Sequence, residues 1–325
     1  MSSLGDWKVS PAVQPKPENY RFDLERALTA VVGLRAIVPS DAFTAEVLGT
    51  ERAGNGVLIR ENGIVLTIGY LITEAESVWI SLFDGRPVQG HALAYDHETG
   101  FGLVQALGPI DVPALPIGDS AATQVGDQVV VAGVGGRQRS VAARITAKQE
   151  FPGSWEYLLD EALFTSPAHP NWGGTALINS AGELIGIGSL QLQQERASGQ
   201  VEHLNMMVPV DLLKPIFDDL TRFGRPSHPA RPWLGVYATE IEGKIVIMRL
   251  ANRGPGQRAD LNPGDIILAV NGTEVSDLAD LYRRIWSLGP AGVEVRLLIY
   301  RDGRTLEARL ASVERSHFFK PPSLH

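Results

Sequence analysis

GNGVLIRENGIVLT, residues 54–67, holds two short apolar runs, GVLIR at 56–60 and GIVLT at 63–67, separated by polar Glu61 and Asn62. Neither run is long enough for a helix, and the polar residues with Gly63 supply the turn chemistry of paired strands. The same design recurs on both sides. SVWISLF at 77–83, QVVVAG at 128–133 and ELIGIG at 183–188 are further short runs bounded by Gly, Asp or Asn. Strands at this spacing predict an all-β sandwich or barrel over residues 24–224, and the 34 glycines suit a turn-rich fold. A helix is expected to close the region, with Asp211 as N-cap, Leu212, Leu213, Ile216, Phe217 and Leu220 along one face, and Gly224 at its end.

The composition then shifts. Residues 225–232, RPSHPARP, carry three prolines and little that could be buried, which marks a stiff linker. Beyond it, WLGVYA, KIVIMRL, IILAVNG, VEVRLLIYR and TLEARLA read as strands, with a helix from about Ser276 to Leu288. This predicts a compact α+β module over residues 233–316, followed by a tail, 317–325. At the other end, Pro11, Pro15 and Pro17 make residues 1–23 an extended arm bearing Trp7, Tyr20 and Phe22.

The 325 residues carry 29 basic and 37 acidic side chains, a net charge of −8, which argues against nucleic acid as a partner. Length and a 44% apolar content predict two domains with separate cores. Cysteine is absent, removing thiolate catalysis and Cys-ligated zinc. No run approaches a membrane span. Residues 1–19 lack the apolar core of a secretory signal, so a cytoplasmic location is expected, with the periplasm as the alternative if the sequence has been trimmed.

Over nearly its whole length the chain resembles the HtrA (high-temperature requirement A) proteases. VPVDLLKPIFDDLTRFGR at 208–225 with PWLGV at 232–236 looks like that family's closing helix, linker and first PDZ strand, and LNPGDIILAVNGTEV at 261–275 resembles the PDZ segment that follows. GNGVLIRENGIVLT resembles the strand pair leading to the catalytic histidine, and GGTALINSAGELIGIGS at 173–189 the segment after the nucleophile. The resemblance implies a mainly β chain, a chymotrypsin-like double β-barrel followed by an α+β PDZ domain.

It also locates the triad, and there the chain departs from the family. The histidine belongs three residues after the Leu-Thr of the strand, where this chain has Tyr70. The aspartate opens an Asp-Leu-Ala motif, where HETGFGLV at 97–104 offers Gly100. The nucleophile sits in Gly-Asn-Ser-Gly-Gly, where this chain reads Pro170-Asn171-Trp172-Gly173-Gly174. A triad needs a hydroxyl, an imidazole and a carboxylate, and none of Trp172, Tyr70 and Gly100 supplies its part. One oxyanion donor is the backbone N–H two residues before the nucleophile, and Pro170 has none. The expectation is a pseudoprotease without catalytic residues, its cleft plugged by Trp172.

Relocated chemistry is the competing expectation. Ser166 and His169 lie close in sequence to Trp172, and Asp96, His97 and Glu98 precede Gly100, but none has the spacing of a catalytic pair. His91, His97 and His169 lack metal-ligand spacing, so neither a metal nor a cofactor is expected. The glycines of GVGGRQRS, 133–140, fit a hairpin turn better than a phosphate loop.

The PDZ part keeps what binding requires. A PDZ domain adds a partner's C-terminal peptide as a strand and captures its carboxylate on backbone N–H groups. The resemblance places that loop at Trp233, Leu234, Gly235 and Val236. Leu278 and Tyr282, at i and i+4 on the following helix, either wall the groove or belong to the core, for which Leu281 and Ile285 serve equally. The expected partner is a protein, through its C-terminal peptide or an exposed strand. The resemblance also raises a homotrimer formed through Trp7, Tyr20 and Phe22. Three readings follow: a silent scaffold, adaptor or assembly factor, a peptidase with non-standard residues, or a chaperone without proteolysis.

Overall fold

The computed structural model describes residues 7–195 and 199–320. Two closed six-stranded barrels and a third sheet account for nearly all of its strands. The first barrel is built from β1 (Val31–Ile37), β2 (Glu51–Arg60), β3 (Ile64–Ile68), β4 (Ser77–Ser81), β5 (Pro87–Tyr95) and β6 (Phe101–Ala106), closed in the order β1-β2-β3-β6-β5-β4. The GVLIR and GIVLT runs are the paired β2 and β3, with Val57 opposite Leu66 and Leu58 opposite Val65. All four are fully buried.

The second barrel comprises β7 (Gln128–Ala132), β8 (Ser140–Gly153), β9 (Tyr157–Ser166), β10 (Ala176–Ile178), β11 (Leu184–Glu195) and β12 (Val201–Pro209), in the order β10-β11-β12-β9-β8-β7. Its core joins Val129, Val131, Val141, Ile145, Leu163, Leu177, Ile185 and Met207. The glycines of residues 133–140 serve a tight turn between β7 and β8, with Gly135 and Gly136 at positive φ. Register shifts at Leu58/Arg60, Ala92/Ala94 and Gly188/Leu190 bend β2, β5 and β11, as closing a barrel from few strands requires.

Two expectations are corrected here. Residues 7–23 are not a detached arm: Val9 is buried in the second barrel's core, its N–H donates to Gln138 O (2.9 Å), and Trp7 meets His169 edge-on at 5.5 Å. Tyr20 pairs with Phe22, whose ring lies where a side chain at Gly182 would go. Residues 1–6 and 321–325, parts of the predicted arm and tail, lie outside the described residues.

The closing helix is also shorter than its apolar pattern. Besides α1 (Leu24–Thr29) and α2 (Ala45–Leu48), the barrel segment carries α3 (Phe217–Phe223), which starts six residues beyond Asp211. Pro215 lacks the N–H that would extend the helix backward, so residues 210–212 form a separate 3₁₀ turn. The Asp211 carboxylate instead accepts from Ser120 Oγ (2.7 Å) and Ala121 N (2.8 Å) and pairs with Lys214, and its pKa lies near 2. Burial opposes that fall, and the Lys214, Ser120 and Ala121 hydrogen bonds outweigh it. Gly224 ends α3 in the left-handed conformation, as its sequence position suggests.

The remaining strands are β13 (Val236–Ile241), β14 (Lys244–Leu250), β15 (Ile266–Val270), β16 (Thr273–Glu274), β17 (Glu294–Arg301) and β18 (Arg304–Ala311), in the order β13-β14-β15-β17-β18, with β16 on β15. The short α4 (Pro255–Arg258) and the amphipathic α5 (Leu278–Ser287) complete the module. Asp277 caps α5 by accepting from Asp280 N (2.7 Å). The chain divides into two compact units. One holds residues 1–149, 161–227 and 320–325. The other holds residues 228–319 together with Glu150–Asp160, the hairpin tip that joins β8 to β9. The single span 24–224 expected for the barrels therefore loses that tip, whose Leu158 is buried in the core of the second unit.

Candidate functional site

In the first unit, β3 ends at Ile68 opposite Phe101 of β6, so the turn carrying Tyr70 lies beside Gly100. Gly69 N donates to Gly100 O (2.7 Å), and Gly100 N donates to Asp96 O (2.8 Å). Gly100 sits at φ 85°, a conformation that suits glycine. The Tyr70 turn is clamped from below by the buried Arg52, whose guanidinium donates to Tyr70 O (2.8 Å) and Thr73 O (3.0 Å). Asp96 is also buried, but its carboxylate accepts from Thr99 N (2.9 Å) and Thr99 Oγ1 (2.6 Å). Both bonds fall on Oδ2 and close the β5–β6 turn, while Oδ1 accepts from Glu98 N at 3.4 Å.

The Tyr70 hydroxyl reaches the second barrel. It donates to Ser189 O (2.9 Å) and is hydrogen-bonded by the Trp172 side chain, whose only donor is the indole N–H. A side chain at Gly173 would come within 2.7 Å of the same hydroxyl. Burial pushes the Tyr70 phenol up from its ordinary pKa, so it stays protonated at neutral pH. The side chains at two of the three family positions therefore engage each other.

Segment 171–174 is held by Asn55, which sequence reasoning missed. Asn55 Nδ2 donates to Asn171 O (3.0 Å) and Gly173 O (3.1 Å), Asn55 N donates to Gly173 O (2.8 Å), and Asn55 Oδ1 accepts from Val134 N (2.9 Å). A Cβ on Gly174, at φ 74°, would lie 1.8 Å from Asn55 O. Trp172 O accepts from Thr175 N (3.1 Å) and Thr175 Oγ1 (2.8 Å). Pro170, two residues before Trp172, has no backbone N–H. The only signal for Asn55 was its place between two glycines in the middle of β2.

Ser166 and His169 are not brought together as a pair. Ser166 Oγ donates to Glu202 Oε1 (2.6 Å). His169 is fully buried, its Nδ1 accepts from Asn171 N (3.1 Å), and its Nε2 faces Arg139 O at 2.8 Å. That pattern assigns the proton to Nε2, and burial lowers the imidazole pKa, so the ring is neutral. Both ring nitrogens are engaged in holding loops. Among the described residues no three His, Asp or Glu side chains cluster as metal ligands.

In the second unit, Leu234, Gly235 and Val236 form a loop leading into β13. Gly235 lies at φ 71°, and its missing Cβ leaves room for Ala251. The N–H groups of Leu234 and Val236 converge on one carboxylate, donating to Glu156 Oε2 and Oε1, both at 2.8 Å. Trp233 does not line this loop with its side chain: it is buried, pairs with Val313 through its backbone and stacks edge-on with Phe318 at 4.9 Å. Leu278 and Tyr282 are buried in one cluster with Leu281 and Ile285, so wall and core are not separate faces of α5. The Tyr282 hydroxyl nevertheless reaches the loop side, donating to Gly153 O (2.8 Å). Complete burial pushes the Glu156 carboxyl up to about 7, against the pull of the Leu234, Val236 and Gly235 N–H groups and the Arg315 charge. Glu156 was not singled out from sequence, because nothing local marks a glutamate in a hairpin as the occupant of a loop some eighty residues away.

Residues 54–187 match the trypsin-like peptidase domain family, and residues 232–311 match the PDZ domain family. Among curated proteins the chain is 25% identical to the serine endoprotease DegS of Salmonella typhimurium, over 92% of this chain and 89% of that one. It is 28% identical to the periplasmic pH-dependent serine endoprotease DegQ of Escherichia coli over 80% of this chain, and 26% identical to a probable periplasmic DegP-like endoprotease of Pseudomonas putida over 77%. It spans 59% and 53% of those two relatives. Solved structures of similar fold include the HtrA-type protease AlgW with a tripeptide (TM-score 0.54, 22% identity, 95% of this chain and 99% of that one). A serine endoprotease from Yersinia pestis is also similar (TM-score 0.53, 23% identity, 90% and 96%). The expected cytoplasmic location is overturned, because the DegP-like and DegQ relatives are periplasmic by name and the composition of residues 1–19 does not outweigh them. Sequence, sheet topology and both family matches agree that this chain joins a trypsin-like serine protease domain to a C-terminal PDZ domain in the HtrA/DegS manner.

Proposed function

We propose that this chain is a catalytically silent member of the HtrA/DegS type, a periplasmic binding scaffold or assembly factor that engages protein C-termini through its PDZ domain. The observation that carries the reading is the mutual hydrogen bond of Tyr70 and Trp172, with Gly100 beside them and Pro170 where an oxyanion donor belongs. Those four residues offer no nucleophile, base, carboxylate or backbone donor. A solved structure named as a serine endoprotease has a similar fold, and the proposal separates this chain from such enzymes on side chains alone.

The test is labelling by a serine-reactive phosphonate together with casein hydrolysis by the purified chain. Neither signal is expected. Hydrolysis abolished by Ser166→Ala would overturn the silent reading in favour of a peptidase with non-standard residues, which the Ser166–Glu202 bond and the engaged ring of His169 speak against. A chaperone is the second binding reading, and suppression of aggregation of unrelated unfolded proteins would favour it over a dedicated scaffold.

A further inference from the structure

The carboxylate that fills the PDZ loop comes from the chain itself. Glu156 stands at the tip of hairpin 150–160 with φ 57°, a left-handed conformation uncommon for a side chain of its size. Its carboxylate takes the N–H groups of Leu234 and Val236, the donors that in a PDZ domain receive a partner's terminal carboxylate. Behind it, Ser154 O accepts from Ala238 N (3.0 Å), a bond of the kind an added strand makes to β13, which is the edge strand of its sheet. On the helix side, the Tyr282 hydroxyl donates to Gly153 O (2.8 Å) and lies 3.3 Å from Glu156 N. Leu158, two residues on, is buried in the cluster that holds Leu234, Leu278 and Tyr282. Arg283, one residue along α5, pairs with both Glu150 and Asp160 at the hairpin stem.

Carboxylate, strand bond and buried aliphatic side chain are the three elements by which an extended C-terminus is held in such a groove. We propose that hairpin 150–160 is a resident ligand of the PDZ groove, with Glu156 standing in for a C-terminal carboxylate, and that a partner binds by displacing it. This rests on the PDZ reading above and states what competes for the site. The displacing partner is a polypeptide with a free C-terminal carboxylate and an aliphatic last side chain, the chemistry of Glu156 and Leu158 supplied by one residue. Such a peptide has a reason to win. It pairs along β13 in an extended conformation, whereas the hairpin holds Glu156 at positive φ and turns away after Ser154. Because the groove must open first, apparent affinity falls by the fraction of molecules that are open.

The test uses the full chain with fluorescein-labelled decapeptides of Gly and Ser ending in Val, Leu or Phe, each as free acid and as C-terminal amide, titrated by fluorescence anisotropy. Glu156→Ala removes the internal carboxylate, and the free acids are expected to bind it about tenfold more tightly than the unaltered chain. Arg283→Glu, at an exposed position, loosens the stem without touching the groove, and an increase of roughly two- to threefold is expected. Amide exchange at Leu234, Val236 and Ala238 should accelerate in Glu156→Ala and slow again when peptide is added. Equal affinity of all three chains for the free acids would overturn the resident-ligand inference and leave the PDZ reading standing. Amides binding as well as acids, or no binding by any of the three chains, would overturn C-terminal recognition itself and this inference with it.

Discussion

The cleft around Tyr70 and Trp172 and the groove around Leu234 and Val236 are both filled by the chain's own groups, in physically different ways. In the cleft, the proposed function puts the filling residues at the family's catalytic positions, and on that reading Tyr70, Gly100 and Trp172 offer no nucleophile or base. In the groove, the Leu234 and Val236 N–H groups converge on one point, and a separate segment lies on them. On that reading the first is a loss of chemistry. The second is an equilibrium, and an equilibrium can be shifted by a competitor, by pH or by mutation.

The largest effect separates the two regions outright. If the proposed function holds, turnover should fall short of an intact triad by about 10⁶, below detection in a casein assay, since the residual activity of triad-less enzymes depends on an oxyanion hole to which Pro170 contributes no N–H. Measurable hydrolysis by the unaltered chain would break the comparison at once.

Next comes packing at the cleft. Gly174→Ala would place a methyl 1.8 Å from Asn55 O at φ 74°, and should cost at least about 3 kcal/mol in denaturant unfolding of the barrel unit. A loss below about 1 kcal/mol would show that segment 171–174 is less tightly held than the Asn55 bonds indicate.

The groove should respond to pH. Glu156 is held near 7 when docked, above the 4.5 of an unburied glutamate, with Tyr282 and Arg315 the titratable side chains facing it. A raised carboxyl favours docking below about pH 4.5, and that advantage is lost as pH rises through about 7. The affinity for free-acid peptides should therefore rise severalfold, roughly, from pH 5 to pH 8, and Glu156→Ala should flatten the profile. A fall over the same range would mean that the N–H groups bind the ionised form more strongly than burial penalises it.

The smallest effect tests α5 alone. Asp277→Ala removes the cap on Asp280 N and should cost about 1 kcal/mol in the PDZ unit while leaving the barrels unchanged.

Much of this was legible in the chain because it is local. GVLIR and GIVLT pair as β2 and β3 because turn residues and short apolar runs are properties of neighbouring residues. Tyr70, Gly100 and Trp172 are assigned to the triad positions by their flanking motifs alone, an assignment the proposed function rests on, and Pro170 lacks an N–H wherever it folds. Asp211 was misjudged because Pro215 outweighs the apolar periodicity around it. Trp7 was misassigned because an aromatic in a Pro-rich stretch does not disclose which barrel it packs on.

The sequence by itself determined which chemical groups exist at each motif, because a side chain's donors, acceptors and charge travel with it into any fold. Only the tertiary structure decided who meets whom: Asn55 with the 171–174 carbonyls, His169 with Arg139 and Asn171, Glu156 with the Leu234 and Val236 amides. Apart from the local His169–Asn171 bond, those contacts span from about 30 to more than 110 positions of chain. They are set by how strands close into barrels and where a hairpin comes to rest, and no local pattern encodes that.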